Sequence, residues 1–125
     1  MTPVFTGNVL IVEDNFIIAM DTQELVADLG ATSSQVANSC NDALALLDEG
    51  CFTAAILDFN LSDETSVRIA DALEERDIPF VFATGYSDAS VLPERYRDTV
   101  MLKKPYLQDD IRAAFAALKD SGADG

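Results

Sequence analysis

The stretch Asn8-Val9-Leu10-Ile11-Val12-Glu13-Asp14-Asn15 decides the fold. Its four consecutive apolar residues, from Val9 to Val12, are too few for an independent helix and are mostly β-branched. They read as a strand buried on both faces, the kind found in a parallel sheet. The strand then runs into two adjacent carboxylates, although the chain already carries a net charge of −14. Like charges about 4 Å apart repel by roughly 1 kcal/mol in water and by about 4 kcal/mol at an effective dielectric near 20. An acidic pair at the mouth of a buried strand therefore calls for a cation nearby.

Outward from this strand, elements alternate. Asn15 can cap a helix that ends near Leu29, with Gly30 placed as its C-cap. A weak strand follows from Ser34 to Ala37. A helix beginning at Asn41 or Asp42 then carries Ala43, Leu44 and Leu47 and closes at Gly50. Ala54-Ala55-Ile56-Leu57 is a second buried strand, ending at Asp58. A helix from Glu64 to Arg76 places Ile69, Ala70 and Leu73 on one side, and Pro79 launches Phe80-Val81-Phe82-Ala83, which ends at Thr84. Val100-Met101-Leu102 forms the last strand and leads into Lys103-Lys104-Pro105. In the final helix Leu107, Ile111, Ala114, Phe115 and Leu118 make one apolar stripe, and Asp109 and Asp110 sit in the first turn, where the helix dipole favours them. Only Ser121 to Gly125 reads as a frayed tail. Five strands alternating with helices over short connections imply a parallel sheet covered on both faces.

Composition narrows the function. With 125 residues and 49% hydrophobic content, the chain is expected to form one domain with a substantial core. No apolar run approaches a membrane span, and the first residues lack the basic and apolar pattern of a signal peptide, so a cytoplasmic location is expected. Acidic residues outnumber basic ones 22 to 8, which opposes contact with nucleic acid or an anionic membrane. Histidine is absent, which removes Ser-His-Asp catalysis and any phosphohistidine relay carried by this chain. Cys40 and Cys51 are too few for a zinc site and are expected as inert residues in or near the core.

In doubly wound sheets, ligands bind beyond the carboxyl ends of the strands. Those ends carry Glu13-Asp14, Asp58, Thr84 and Lys104. Three carboxylates suit a hard divalent cation such as Mg²⁺, which takes oxygen ligands. A lysine can hold a carboxylate or a phosphoryl oxygen. A hydroxyl followed by Gly85 can donate to a phosphoryl group with no side chain in the way. Each feature alone is commonplace: an acidic pair or a lone Asp often caps a helix, and Thr-Gly is often a turn. Their joint placement on different strand ends is what points to a site.

This arrangement resembles the receiver domain of two-component response regulators, from Asn8 to Lys119. The resemblance implies a flavodoxin-like sheet of order 2-1-3-4-5 in a single receiver domain. It implies that Asp58 is the phosphoacceptor, and that Glu13, Asp14, Asp58 and the backbone carbonyl of Asn60 hold Mg²⁺. Thr84 is then the switch hydroxyl and Lys104 the family's lysine, with Lys103 a solvated neighbour and the Lys104-Pro105 bond cis. A sensor histidine kinase or other phosphohistidine donor would supply the phosphoryl group. Output would be protein contact or phosphate drainage, without nucleic acid, membrane or enzymatic turnover.

More narrowly, Pro79-Phe80-Val81-Phe82-Ala83-Thr84-Gly85-Tyr86 fits the PFxFATGY signature of "FAT GUY" receivers, a type associated with general stress signalling. Three departures from ordinary receivers stand out. The loop after the acceptor, where they carry Pro and Gly, reads Phe59-Asn60-Leu61-Ser62-Asp63-Glu64. Met101 occupies the position of the aromatic switch residue, which shifts the expected switch to Thr84 and Tyr86. Pro93 interrupts residues 87–98, so the fourth helix is expected to be irregular. Two rivals stay open: a phosphorylation-independent pseudo-receiver, and a small phosphatase with an aspartyl nucleophile. Against the second, Asn60 stands where such an enzyme carries an acid/base Asp.

Overall fold

The computed structural model describes residues 4–59, 61, 65–84, 96, 101–104 and 106–123, the last five of these as backbone. The apolar runs form five parallel strands: β1 (Asn8–Val12), β2 (Ser33–Ala37), β3 (Ala54–Asp58), β4 (Phe80–Thr84) and β5 (Met101–Lys103). Their order is β2-β1-β3-β4-β5, as expected. Four helices are present among the described residues: α1 (Phe16–Asp28), α2 (Cys40–Glu49), α3 (Val67–Glu75) and α4 (Gln108–Ala123).

Alternate residues of the central strands feed two separate cores. Val9 and Ile11 of β1, Ala54 and Ile56 of β3, and Val81 and Ala83 of β4 pack with Val26 of α1 and with Ile111, Ala114 and Phe115 of α4. Their neighbours Leu10, Val12, Ala55, Leu57, Phe80 and Phe82 face α2 and α3, meeting Ala43, Leu47, Ile69, Ala70 and Leu73. Because side chains alternate along a strand, a continuous apolar run fills both layers. Strand β2 lies at the edge and buries only Ala37, which accounts for its weak sequence signal.

The helix ends follow local chemistry. Asn15 caps α1 by accepting from Ile17 N–H at 3.0 Å and Ile18 N–H at 3.2 Å. At the other end Gly30, with φ 114°, donates to the Ala27 carbonyl, and Ala31 donates to that of Val26. That pair of bonds closes the helix and needs the left-handed backbone that glycine adopts freely.

Five sequence expectations are corrected. Helix α2 begins at Cys40, not at Asn41 or Asp42, because the Ser39 hydroxyl accepts from Asp42 N–H at 3.1 Å and so supplies the cap. Cys51 is exposed in the loop after Gly50, whereas Cys40 is buried with its Sγ 3.3 Å from the Thr65 carbonyl. Leu107 is 68% exposed and leaves the apolar stripe. It sits at the mouth of α4, its N–H held at 2.8 Å by Asp110 Oδ2. Helix α4 itself continues through Ala123, since no proline stops it, and takes in Ser121 and Gly122 of the expected tail. Helix α3 begins at Val67, not at Glu64, because Thr65 and Ser66 belong to the preceding turn, where Ser66 N–H donates to the Phe59 carbonyl at 3.0 Å. The irregular segment over residues 87–98 apart from Tyr96 and the Lys104-Pro105 bond lie outside the described residues.

Candidate functional site

Backbone hydrogen bonds just beyond the strands hold the ends of β1, β3 and β5 in place. Glu13 N–H donates to the Ala37 carbonyl at 3.0 Å, extending the β1–β2 ladder past Val12. Phe59 N–H donates to the Ala83 carbonyl at 2.8 Å and fixes the residue after Asp58. Lys104 N–H donates to the Thr84 carbonyl at 2.9 Å. Parallel pairing places Asp58 opposite Ala83 and Thr84 opposite Lys103, so the strand ends are in register at one edge of the sheet.

The side chains meet there. Lys104 Nζ lies 2.7 Å from Glu13 Oε1 and 3.1 Å from Asp58 Oδ1. Glu13 Oε2 accepts from Asn15 N–H at 3.1 Å, so both of its oxygens are engaged. Lys104 is thus the cation that the acidic pair at the end of β1 required. Lys103 is exposed, so the structure separates the two adjacent lysines as the resemblance implied.

Glu13, Asp14 and Asp58 present oxygens that all lie within 4.8 Å of one another. Glu13 and Asp58 are buried, whereas Asp14 is exposed. Burial pushes the Asp58 carboxyl up to about 7, and the adjacent Glu13 carboxylate adds to the rise while Lys104 opposes it. Burial alone would pull the Lys104 ammonium down, but Glu13 and Asp58 more than reverse this and hold it above its usual range. One lysine does not fully offset three carboxylates. An all-oxygen, anionic donor set that still disfavours its own charge fits a hard divalent cation such as Mg²⁺.

Thr84 is buried at the end of β4, beside Asp58's strand, as the sequence placed it. Asn60 and Tyr86, expected as a metal-binding carbonyl and a switch residue, lie outside the described residues. Two tyrosines that sequence reasoning passed over are built into the surroundings. Tyr96 is fully buried, edge-on to Phe80 and Phe82 with centroids at 6.0 and 5.6 Å, and its hydroxyl donates to Asp71 Oδ1 at 2.6 Å. Tyr106, two residues after Lys104, hydrogen-bonds Thr22 at 2.8 Å. Tyr106's position directly after Lys104-Pro105 was the available signal; Tyr96 lies among polar residues and offered none.

A doubly wound sheet that brings a buried aspartate, an acidic pair and a lysine together at its carboxyl edge is the architecture of the receiver class. Residues 9–116 match the family model of the response regulator receiver domain, and the chain belongs to that family. Phyllosphere-induced regulator PhyR of Methylorubrum extorquens is 30% identical over 111 residues, covering 86% of this chain and 42% of PhyR. The chain therefore spans less than half the length of that relative. The solution structure of SdrG from Sphingomonas melonis Fr1 is similar at 41% identity and a TM-score of 0.76, over 91% of this chain and 97% of that one. The BeF3-activated conformation of SdrG from Pseudomonas melonis Fr1 is 42% identical with a TM-score of 0.72, over 94% and 98% of the two chains.

Proposed function

We propose that this receiver accepts a phosphoryl group on Asp58 from a phosphohistidine donor such as a sensor histidine kinase. The observation that carries this reading is the Asp58 carboxyl at the end of β3, with Lys104 Nζ at 3.1 Å and the Glu13-Asp14 pair within 4.8 Å. A carboxylate oxygen of Asp58 attacks phosphorus, the P–N bond to the donor imidazole breaks, and an acyl phosphate forms on Asp58. Glu13, Asp14, Asp58 and the Asn60 carbonyl would hold Mg²⁺, which supplies charge neutralisation on the phosphoryl oxygens and favours the ionised form of Asp58. Lys104 exchanges its contact with Asp58 for a phosphoryl oxygen while keeping Glu13, and the Thr84 hydroxyl donates to another. The new charge of about −2 is then read through Thr84 and the neighbouring Tyr86.

The surroundings support a protein donor and a protein output. Phe16 and Ile17, which open α1 directly after the acidic site, are 76% and 70% exposed. Met20 one turn on is 50% exposed, and Leu107 beyond Lys104 is 68% exposed. Apolar side chains so open to water suit a protein surface. The net charge of −14 disfavours nucleic acid and anionic membranes, and no helix among the described residues is long and apolar enough to cross a membrane. The reading is of a cytoplasmic phosphoacceptor rather than a turnover enzyme. The PFxFATGY signature supports placing it in general stress signalling, and the likeness to SdrG, one structure of which is a BeF3-activated conformation, supports activation by a phosphoryl group.

The test is intact mass after incubation with a small acyl phosphate and Mg²⁺. A gain of one phosphoryl group, absent in Asp58→Asn, is expected. No gain in the wild type would make the chain a pseudo-receiver, and a gain that persists in Asp58→Asn would move the acceptor elsewhere.

A further inference from the structure

We propose that Thr22 and Tyr106 form a tether that positions Lys104 against Glu13 and Asp58. Thr22 lies in the second turn of α1 and is 1% exposed; Tyr106 is 8% exposed. Thr22 Oγ1 is 2.8 Å from the Ile18 carbonyl and 2.8 Å from the Tyr106 hydroxyl. A hydroxyl carries one proton, and a carbonyl can only accept. Thr22 therefore donates to Ile18, and Tyr106 donates to Thr22. The direction of this buried bond follows from its surroundings.

The bond joins parts of the chain 84 residues apart. Helix α1 continues directly from the Glu13-Asp14 pair, and Tyr106 stands two residues after Lys104. The tether thus fixes the distance between the acids and the segment that carries the lysine. On the upstream side, Lys104 N–H is held by the Thr84 carbonyl. A cavity of about 300 Å³ adjoins the pair, lined by Ile18, Asp21, Thr22, Leu25, Lys104 and Tyr106. Close packing therefore does not confine Lys104 on that side; Tyr106 packs in one core cluster with Val26 of α1, and its hydrogen bond to Thr22 adds the directional link that fixes the segment against that helix. An exposed bond of 2.9 Å from Gln108 to Asp28 is a second, solvated link between the same elements.

The donor order predicts an asymmetry. Thr22→Val leaves the buried Tyr106 hydroxyl without its acceptor, whereas Tyr106→Phe leaves Thr22 still bonded to Ile18. Thr22→Ser keeps the acceptor. The functional half of the proposal rests on the role given to Lys104 above; the structural half does not. Both are read on the full chain. In limiting acetic anhydride, acetylation of Lys104 is measured by peptide mass spectrometry against the exposed neighbour Lys103. The ratio of Lys104 to Lys103 is expected to rise at least fivefold in Thr22→Val and about twofold in Tyr106→Phe, and to stay within twofold of wild type in Thr22→Ser. An unchanged ratio in folded Thr22→Val overturns the tether; if that variant does not fold, an unchanged ratio in Tyr106→Phe does so. In the second arm, labelling by a small acyl phosphate at saturating donor should slow about tenfold in Thr22→Val, with the donor KM unchanged and Thr22→Ser restored. A shifted lysine ratio with a wild-type labelling rate would overturn the positioning role. Failure of the wild type to be labelled at all would refute the phosphoacceptor reading, and the lysine ratio would still decide the tether.

Discussion

At the carboxyl ends of the strands, three carboxylates crowd within 4.8 Å around one lysine, and the buried Asp58 is pushed up to about 7. At the amino ends the chain is closed by conventional local bonds. The Gly7 carbonyl accepts from Thr32 N–H at 2.8 Å, Thr53 N–H donates to the Asn8 carbonyl at 2.9 Å, and α1 and α3 finish in matching hydrogen-bonded caps. The first edge holds charge that the fold itself disfavours, while the second satisfies its polar groups at no such cost. Substitutions at the two edges should therefore have opposite signatures. At the carboxyl edge they remove function and can raise stability; at the amino edge they change stability and leave the site alone.

The largest effect expected is that of Asp58→Asn. Phosphoryl labelling should be lost outright, by intact mass. The same change should raise the stability of the metal-free protein at pH 8. The native carboxyl keeps its proton up to about 7, whereas the unfolded chain releases it near 3.8. Between those values the native state binds more protons, so this group's contribution to stability falls as pH rises from about 4 to about 7. Asn mimics the protonated form and escapes that loss. Urea midpoints for the two proteins should lie close together at pH 4 and separate progressively toward pH 8, with the variant higher. Separation in the opposite sense would mean that Lys104 outweighs burial at this edge.

The next effect is metal binding. Mg²⁺ requires the ionised carboxylate, so a proton on Asp58 competes with it below about 7. Binding to the native state alone contributes about 2.7 kcal/mol at a hundredfold excess over Kd. The rise in Tm with saturating Mg²⁺ should be larger at pH 8 than at pH 6. Asp14 is exposed, so Asp14→Asn should shrink the rise while moving metal-free stability by no more than about 0.5 kcal/mol. A full rise in that variant would place the metal away from Asp14.

Much of this was legible in the sequence, for a physical reason. Strands buried on both faces must be continuously apolar, so Val9 to Val12, Ala54 to Leu57 and Phe80 to Ala83 announced themselves, and the polar residues that end them announced the site. Edge strand β2 buries little and was correspondingly faint. What stayed hidden depends on contacts between residues distant in sequence. Leu107 fits the helical period but precedes the helix, and only the hydrogen bond from its N–H to the Asp110 carboxylate reveals that position. Cys40 and Cys51 look alike in composition and separate only because the first packs under Thr65. The Thr22–Tyr106 and Asp71–Tyr96 bonds join residues with no sequence periodicity in common.

At the amino edge, Gly7→Ala should destabilise without touching the site. Gly7 has φ 76°, and a Cβ built there would lie 2.9 Å from Thr53 Cγ2. The left-handed backbone alone costs a non-glycine residue roughly 1–2 kcal/mol, and the crowding adds to it. A loss of about 2–3 kcal/mol in urea unfolding is expected, with Mg²⁺ affinity unchanged. A parallel loss of Mg²⁺ affinity would show that the two edges are coupled through β1.

The smallest effect expected is a gain. Helix α3 ends as α1 does: Asp77 N–H donates to the Glu74 carbonyl and Ile78 N–H to that of Leu73, both near 3 Å. Where α1 uses Gly30, however, α3 uses Asp77 at φ 56°, the one non-glycine residue with positive φ among those described. Asp tolerates this conformation better than most residues, yet its Cβ still meets the neighbouring carbonyl. Its carboxylate also sits at the negative end of the helix dipole, which opposes it by about 0.3–1 kcal/mol. Asp77→Gly removes both penalties and loses part of the gain to the greater freedom of glycine in the unfolded chain, roughly 0.5–1 kcal/mol. The net should be a stabilisation of about 0.5–1 kcal/mol by urea unfolding, with phosphoryl labelling unchanged because the residue lies at the far edge from Asp58. Asp77→Asn separates the two causes, since it removes the charge and keeps the Cβ. Stability should then rank Gly above Asn above Asp. If Asn matches Gly, the dipole alone accounts for the gain and the backbone at Asp77 is unstrained; if both fall below the wild type, the carboxylate makes a contact at this edge that outweighs both penalties.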